Sequence, residues 1–407
     1  MDPLTKTTID TLDNPGKQKV LVLGGGFGGI KAALELAGRS KFEVTLISDQ
    51  TNFRYYPMLY RTATGGSRAA SQIPLREIFG DKEIKLVHDS AKTLDRAKKQ
   101  VKGASDKSYT YDVLIVALGS VTNYFGIKGL REHAFGIKSN EEAQELRDHL
   151  HKQLLDENKP DLNYVVIGGG ATGVELAGVL PGYLKYIMKR HNLPKRPCNV
   201  DIVEAEKRLM PRMGERYSAR IAKRLQKLGV KLYLGQKVLA ETASELKLSG
   251  RILESETVVW TAGVITNPFI AANGFTLSEH GKATVDEYLR AGEDIFVIGD
   301  NADSQYSGMA QTALYDGIYV AGYLKKRAAG KEPKAYEPKR PIYVTPVGPQ
   351  WAAVSWGKRE FFGFIGWLMR RLADLRAYHD YQPWWKASKH WMAFTEGEES
   401  CPICSKK

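Results

Sequence analysis

The sequence predicts an α/β protein, with two Rossmann-like dinucleotide-binding domains followed by a C-terminal amphipathic region. Three observations predict it. Two glycine-rich turns of one type lie 144 residues apart, Gly24-Gly25-Gly26-Phe27-Gly28-Gly29 and Gly168-Gly169-Gly170-Ala171-Thr172-Gly173. Strand-like and helix-like runs alternate from residue 18 to about residue 330. Beyond a proline- and lysine-rich stretch, the chain holds six of its seven tryptophans.

Each glycine turn follows a run of β-branched and apolar residues, Val20-Leu21-Val22-Leu23 or Tyr164-Val165-Val166-Ile167, and opens an alanine- and leucine-rich helical stretch. In G-x-G-x-x-G the first glycine makes the tight turn and the second lets the backbone approach a pyrophosphate. The third lets helix and strand pack closely, and the helix N-terminus faces the phosphates. One such motif is a weak signal; two in the right context imply two dinucleotides in one protein. In chain order, strands are expected at 19–24, 42–48, 112–118, 163–168, 199–204, 257–262 and 294–299, with helices at about 28–38 and 173–188. This order divides the chain into one nucleotide domain over 18–121 and 265–332, a second over 122–264, and a C-terminal region over 333–407. Residues 331–341, rich in proline and lysine, read as a linker.

At 407 residues, 43% hydrophobic and 26% charged, the composition is that of a folded body with two or three cores. The net charge of +13 is compatible with nucleic acid or an anionic membrane surface as a partner, but charge alone implies neither, and a solvated basic surface is the default. The N-terminus has no apolar signal region, and the apolar run Phe361–Met369 is far short of the roughly 20 residues that span a bilayer. Three cysteines (Cys198, Cys401, Cys404) make no disulfide framework, which fits a reducing cytoplasm. Cys401-Pro402-Ile403-Cys404 is half a zinc site at most, and the eight histidines form no ligand cluster, so no metal is expected.

An acidic group about 20 residues past such a turn receives a ribose hydroxyl. Asp49 stands near that place for the first turn, with Ser48 as the alternative strand-end residue. For the second turn Glu204 ends Val200-Asp201-Ile202-Val203-Glu204, and favours NADH over NADPH by repelling a 2′-phosphate; Arg208 nearby weakens that preference. The buried-strand pattern Ile295-Phe296-Val297-Ile298 ends in Gly299-Asp300, an aspartate position that in two-dinucleotide flavoproteins holds the ribityl chain of the flavin. The strand ends at Gly119 and Gly263 match the small-residue crossings between the domains of such proteins.

These segments, together with Arg54-Tyr55-Tyr56-Pro57-Met58-Leu59-Tyr60, Gly168 to Gly178, Trp260-Thr261-Ala262-Gly263-Val264 and Ala310-Gln311, make the chain resemble the type II NADH:quinone oxidoreductases. These belong to the flavin- and NAD-binding disulfide-reductase fold. The resemblance implies FAD on Gly24, Gly26, Phe27, Gly28 and Gly29, with Ser48, Asp49, Gly119, Asp300, Ala310 and Gln311 around it. It implies NADH on Gly168, Gly170, Thr172, Gly173, Glu175, Glu204 and Gly263. Glu175, Gln311 and Tyr315 would stand nearest the chemistry. The helix start Met309-Ala310-Gln311-Thr312 would aim its positive dipole end at the flavin N1–C2=O edge. One departure is plain: the family reads Ala-Gln-x-Ala-x-Gln-x-Gly on the quinone side, and here Tyr315 replaces the second glutamine. No cysteine precedes Cys198, so the thiol chemistry of disulfide, peroxide and sulfide relatives is not expected.

In the tail, Phe361, Phe364, Ile365, Leu368, Leu372 and Leu375 recur at helical spacing, while Arg370, Arg371 and Asp374 lie off that face. Basic residues and tryptophans surround the stretch, the composition of a helix lying in the headgroup boundary. The alternative is a helix packed on the body or on a second subunit. The expected protein is a peripheral membrane flavoenzyme on the cytoplasmic face, homodimeric, oxidising NADH through FAD and reducing a membrane quinone without pumping protons. Its charge is expected to meet an anionic membrane surface and no nucleic acid. Two rival readings are an NADH-dependent FAD reductase of a small iron–sulfur protein and a non-catalytic NADH-responsive flavoprotein.

Overall fold

Residues 16–156 and 163–397 are described in the computed structural model. Cys401 and Cys404, and all but the end of the polar N-terminal arm, lie outside them. The body runs β1 (Gln18–Leu23), α1 (Phe27–Leu36), β2 (Phe42–Ser48), β3 (Lys85–His88), β4 (Val113–Val116), β5 (Asn163–Ile167), α2 (Ala171–Arg190), β6 (Asn199–Glu204), β7 (Val230–Leu234), β8 (Thr257–Trp260), β9 (Arg290–Gly292), β10 (Ile295–Val297) and α3 (Ala310–Ala328). The helices Asn140–Leu155 and Glu215–Lys227, several shorter helical turns and short hairpins connect these. The tail follows as β11 (Tyr343–Pro346), β12 (Ala352–Trp356), β13 (Arg359–Gly363), α4 (Phe364–His379) and α5 (Trp384–Met392).

Two open sheets organise the body. The first has the order β9-β10-β4-β1-β2-β3, parallel except for β9 at its edge. The second, β7-β6-β5-β8, is wholly parallel. Their central strands, such as Val113-Leu114-Ile115-Val116, are buried along their whole length, as a sheet covered on both faces requires. The seven expected strands are all present, trimmed by up to two residues at their ends. Edge strand β3 (Lys85-Leu86-Val87-His88) went unpredicted because its short, half-exposed sequence carries no apolar run.

Both glycine turns are steric necessities. Gly24 has φ +109°, and a Cβ there would lie 2.2 Å from the Ala117 carbonyl oxygen. Gly168 has φ +112°, with Thr261 Oγ1 2.7 Å from such a Cβ. L-residues avoid that region of φ, so glycine is required twice over.

Two expectations about the tail need correction. Residues 331–341 are a strap rather than a free linker. The Tyr336 hydroxyl donates to Asp316 (2.5 Å), Tyr319 donates to the Lys334 carbonyl (2.8 Å), and the Tyr336 amide donates to the Glu287 carbonyl (2.8 Å). Nor is the tail set apart from the body. Tyr378 and Tyr381 belong to the same apolar core as Val20, Phe27 and Phe53, while Val347 and Ala353 join the core of the second sheet. The α4 helix carries the expected apolar face, except that Phe361 precedes it on β13. That face points outward: Phe364, Ile365, Leu368 and Leu372 are exposed, whereas Arg370, Arg371 and Asp374 are buried. Among the described residues no helix is long and apolar enough to cross a membrane.

Candidate active site

The N-termini of α1 and α2 begin at Gly26 and Gly170, and neither is capped by a side chain or has an acidic residue in its first turn. Their first N–H groups therefore remain available to an anion. Gly29 and Gly173 close each turn: a Cβ on either would come within about 2 Å of the carbonyl oxygen of Gly24 or Gly168. Helix and strand can approach that closely only through glycine.

A cavity of about 470 Å³ lies against the first turn. Gly24, Gly26, Phe27, Gly28, Ser48, Asp49, Gly119, Asp300 and Ala310 line it, with Met309 and Ala313 at the start of α3. From the second turn come Ala171, Thr172 and Glu175. The uncapped helix end, the side-chain-free cradle and the cavity's size and polar edge fit a dinucleotide such as FAD. Gly29, Gln311 and Tyr315 lie off this lining, as do Gly168, Gly170, Gly173, Glu204 and Gly263.

The strand-end residues divide their work. Ser48 is buried and its hydroxyl accepts from the Gln50 amide (3.1 Å), leaving Asp49 exposed at the rim. Glu204 Oε2 accepts from the Gly169 amide (2.6 Å) and Oε1 from the Glu206 amide (2.8 Å), so the carboxylate is fixed against the second turn. Arg208 is committed elsewhere, donating to the Met213 (2.5 Å) and Pro211 (2.7 Å) carbonyls. Gly263 accepts from the Asn123 amide (3.1 Å) and lies beneath Phe125, at the crossing between the sheets.

Asp300 Oδ2 accepts from Ser120 Oγ (2.8 Å), and that hydroxyl accepts from Lys138 Nζ (3.1 Å). Burial lowers the Lys138 pKa. Fully buried Asn301 clamps the crossing at Gly119, accepting from its amide (2.9 Å) and donating to its carbonyl (2.7 Å). Sequence reasoning passed over Lys138 and Asn301. Asn301 adjoins Gly299-Asp300 and could have been found there; Lys138 follows no motif.

Gln311 and Tyr315 differ from expectation. Gln311 Oε1 accepts from the Ile342 amide (2.9 Å) and so holds the strap. The Tyr315 ring, in the second turn of α3, packs against the core with Lys339 Nζ above it (5.0 Å to the ring centre) and does not line the cavity. Only the first turn of that helix reaches the cavity.

Glu175 is buried, and its carboxyl lies 3.3 Å from Arg370 Nη1. Burial pushes its pKa up to about 7; Arg370 opposes the shift and Asp374 adds to it. Arg370 also binds both oxygens of Asp374 (3.0 and 2.9 Å) and the Pro57 carbonyl (2.9 Å). Asp374 accepts in turn from the Tyr55 hydroxyl (2.9 Å). A network thus joins the second turn, the Tyr55 segment and the tail helix at the inner end of the cavity. Among the described residues no group of three His, Cys, Asp or Glu side chains is placed to hold a metal.

Comparison with known proteins agrees with this architecture. Residues 18–317 match the pyridine nucleotide-disulphide oxidoreductase family. The chain is 30% identical to the type II NADH:quinone oxidoreductase Ndh of Mycobacterium tuberculosis, over 88% of this chain and 84% of that one. It is 25% identical to the type II NADH:quinone oxidoreductase of Staphylococcus haemolyticus, over 89% and 95%. Among solved structures, NDH2 of Plasmodium falciparum in complex with NADH superposes with a TM-score of 0.83 at 16% identity, over 93% of this chain and 97% of that one. The chain belongs to the pyridine nucleotide-disulphide oxidoreductase family, and within it to the type II NADH:quinone oxidoreductases.

Proposed function

We propose that this chain binds FAD at the first glycine turn and NADH at the second, and passes two electrons from NADH to a membrane quinone. The observation that carries this reading is that Gly24 to Gly28 of the first turn and Ala171, Thr172 and Glu175 at the second line one cavity. When bound, FAD supplies the two-electron redox chemistry. The protein's own part is placement and charge. The start of α3 at Met309 and Ala310 turns backbone N–H groups and a positive dipole end toward the cavity, favouring negative charge there. Glu204, fixed by the Gly169 amide, offers its remaining lone pairs to a ribose 2′-hydroxyl and repels a 2′-phosphate. Glu175, with a pKa of about 7, is suited to hold a proton on its carboxyl at the inner end of the cavity.

The site residues, the domain boundaries 18–121 with 265–332 and 122–264, a homodimer, and docking of the 333–407 region on an anionic membrane surface at the cytoplasmic face belong to the same proposal. The outward apolar face of α4 and the net charge of +13 support the docking. The absorption spectrum tests the central reading. The purified protein is expected to carry flavin bands that NADH bleaches without oxygen and a quinone restores; protein that binds no flavin overturns it.

A further inference from the structure

Three arginines, Arg61 of the body and Arg370 and Arg371 of α4, line one cavity. Arg370 takes both nearby carboxylates, Glu175 and Asp374. Among the described residues neither Arg61 nor Arg371 has a carboxylate within ion-pair distance. Arg371 is only 5% exposed; its Nη2 donates to the Trp391 carbonyl (2.8 Å), while Nη1 has no acceptor. Arg61 is half-buried; its Nη2 donates to the Phe394 carbonyl (3.4 Å), while its Nε is buried without an acceptor. Both guanidiniums stack on the Phe394 ring, 4.0 and 4.9 Å from its centre, which offsets part of the cost of burying them. A buried, unpaired guanidinium remains costly, and an anion is what such a pair lacks.

The two side chains line a second cavity of about 480 Å³, together with Gly182, Tyr183, Trp367 and Phe394. Glu396 is also on the lining and pairs with neither arginine. Trp367 lies on α4 beside the exposed side chains Phe364, Ile365, Leu368 and Leu372. The fitting ligand is therefore amphipathic, with an anionic head for the guanidiniums and long apolar chains for the helix face. Planar guanidinium groups match the oxygens of a phosphate.

We propose that the Arg61–Arg371 cavity is a binding site for the phosphate headgroup of an anionic phospholipid, whose acyl chains run along the outward face of α4. This rests on the membrane docking proposed above and makes it specific, since it assigns one lipid molecule a built pocket rather than a diffuse charged surface.

The test compares full-length flavin-loaded protein on vesicles of phosphatidylcholine alone and of phosphatidylcholine with phosphatidylglycerol. Arg61→Gln removes one guanidinium. Gly182→Leu keeps both but fills the cavity from α2, where a Cβ meets nothing within 4 Å. Lys247→Gln, on the exposed face of the distant strand Glu245–Leu248, is the charge-matched control for Arg61→Gln. Arg61→Gln and Gly182→Leu are expected to lose about fivefold in binding to the anionic vesicles, while Lys247→Gln binds like the parent. If both cavity variants bind like the parent, the pocket is overturned and the docking reading stands. If the parent binds neither vesicle, the docking reading fails and the pocket with it. Inorganic phosphate is the remaining arm. If it raises the melting temperature of the parent but not of Arg61→Gln, while vesicle binding is equal, the site takes free anions and the lipid assignment is overturned.

Discussion

Glu175 shows how burial tunes a single residue. Its folded pKa of about 7 lies above the ordinary carboxylate value of 4.5, so over that window the folded chain binds a proton that the unfolded chain releases. Stability from this group is complete below about pH 4.5 and is lost as pH rises through about 7. Glu175→Gln, which cannot ionise, is expected to flatten that fall; thermal unfolding at pH 5 and pH 8 measures it. The sequence revealed Glu175 because it sits one turn into a helix opened by a recognisable motif. Its partner Arg370 was not legible, since 195 residues separate the two and helical spacing alone assigns an arginine to the solvent side. Gln311 carries the converse lesson: its motif was legible, but its side chain is taken by the Ile342 amide, and a backbone donor leaves no mark in a sequence.

The elements were easier to read than their orientation. Both strand–glycine–helix units were legible because steric demands at Gly24 and Gly168 leave no other residue possible. The two-faced character of α4 was legible too, yet the sequence could not say which face turns inward. The answer depends on Glu175 and Pro57, which supply partners for Arg370 from other parts of the chain. The strap over 331–341 was missed for a similar reason, as proline and lysine resemble a linker while its partners Asp316, Tyr319 and Glu287 come from the body. Arg370→Met would leave Glu175 and Asp374 buried beside each other without a cation. A loss of roughly 3–5 kcal/mol is expected from breaking one side of such a network. Urea unfolding measures it, and a change below about 1 kcal/mol would show that the network contributes little.

For the whole molecule, the question is where a body of charge +13 with an outward apolar helix comes to rest. Removing residues 358–395 would be a poor probe of docking, because Tyr378 and Tyr381 belong to the core that holds the first glycine turn. Replacing the exposed Phe364, Ile365, Leu368 and Leu372 by serine spares that core. Each such side chain contributes roughly 1.5–3 kcal/mol when fully buried, so even partial burial in lipid predicts a loss of vesicle binding of about tenfold or more. The melting temperature should stay within a few degrees, since these side chains face solvent in the free protein. Equal sedimentation of parent and variant with vesicles would exclude α4 as the docking face.

The Tyr381 hydroxyl donates to the Phe27 carbonyl (3.1 Å) across 354 residues of sequence, and this bond has a consequence for how the protein is made. Phe27 leaves the ribosome well before Tyr381, with most of both nucleotide domains made in between. The wall behind the first glycine turn is therefore incomplete until the tail has been made. Loop-closure entropy delays so distant a contact still further. Cofactor capture therefore waits on the tail, and a product ending before Tyr381 would carry both nucleotide motifs without the wall behind the first.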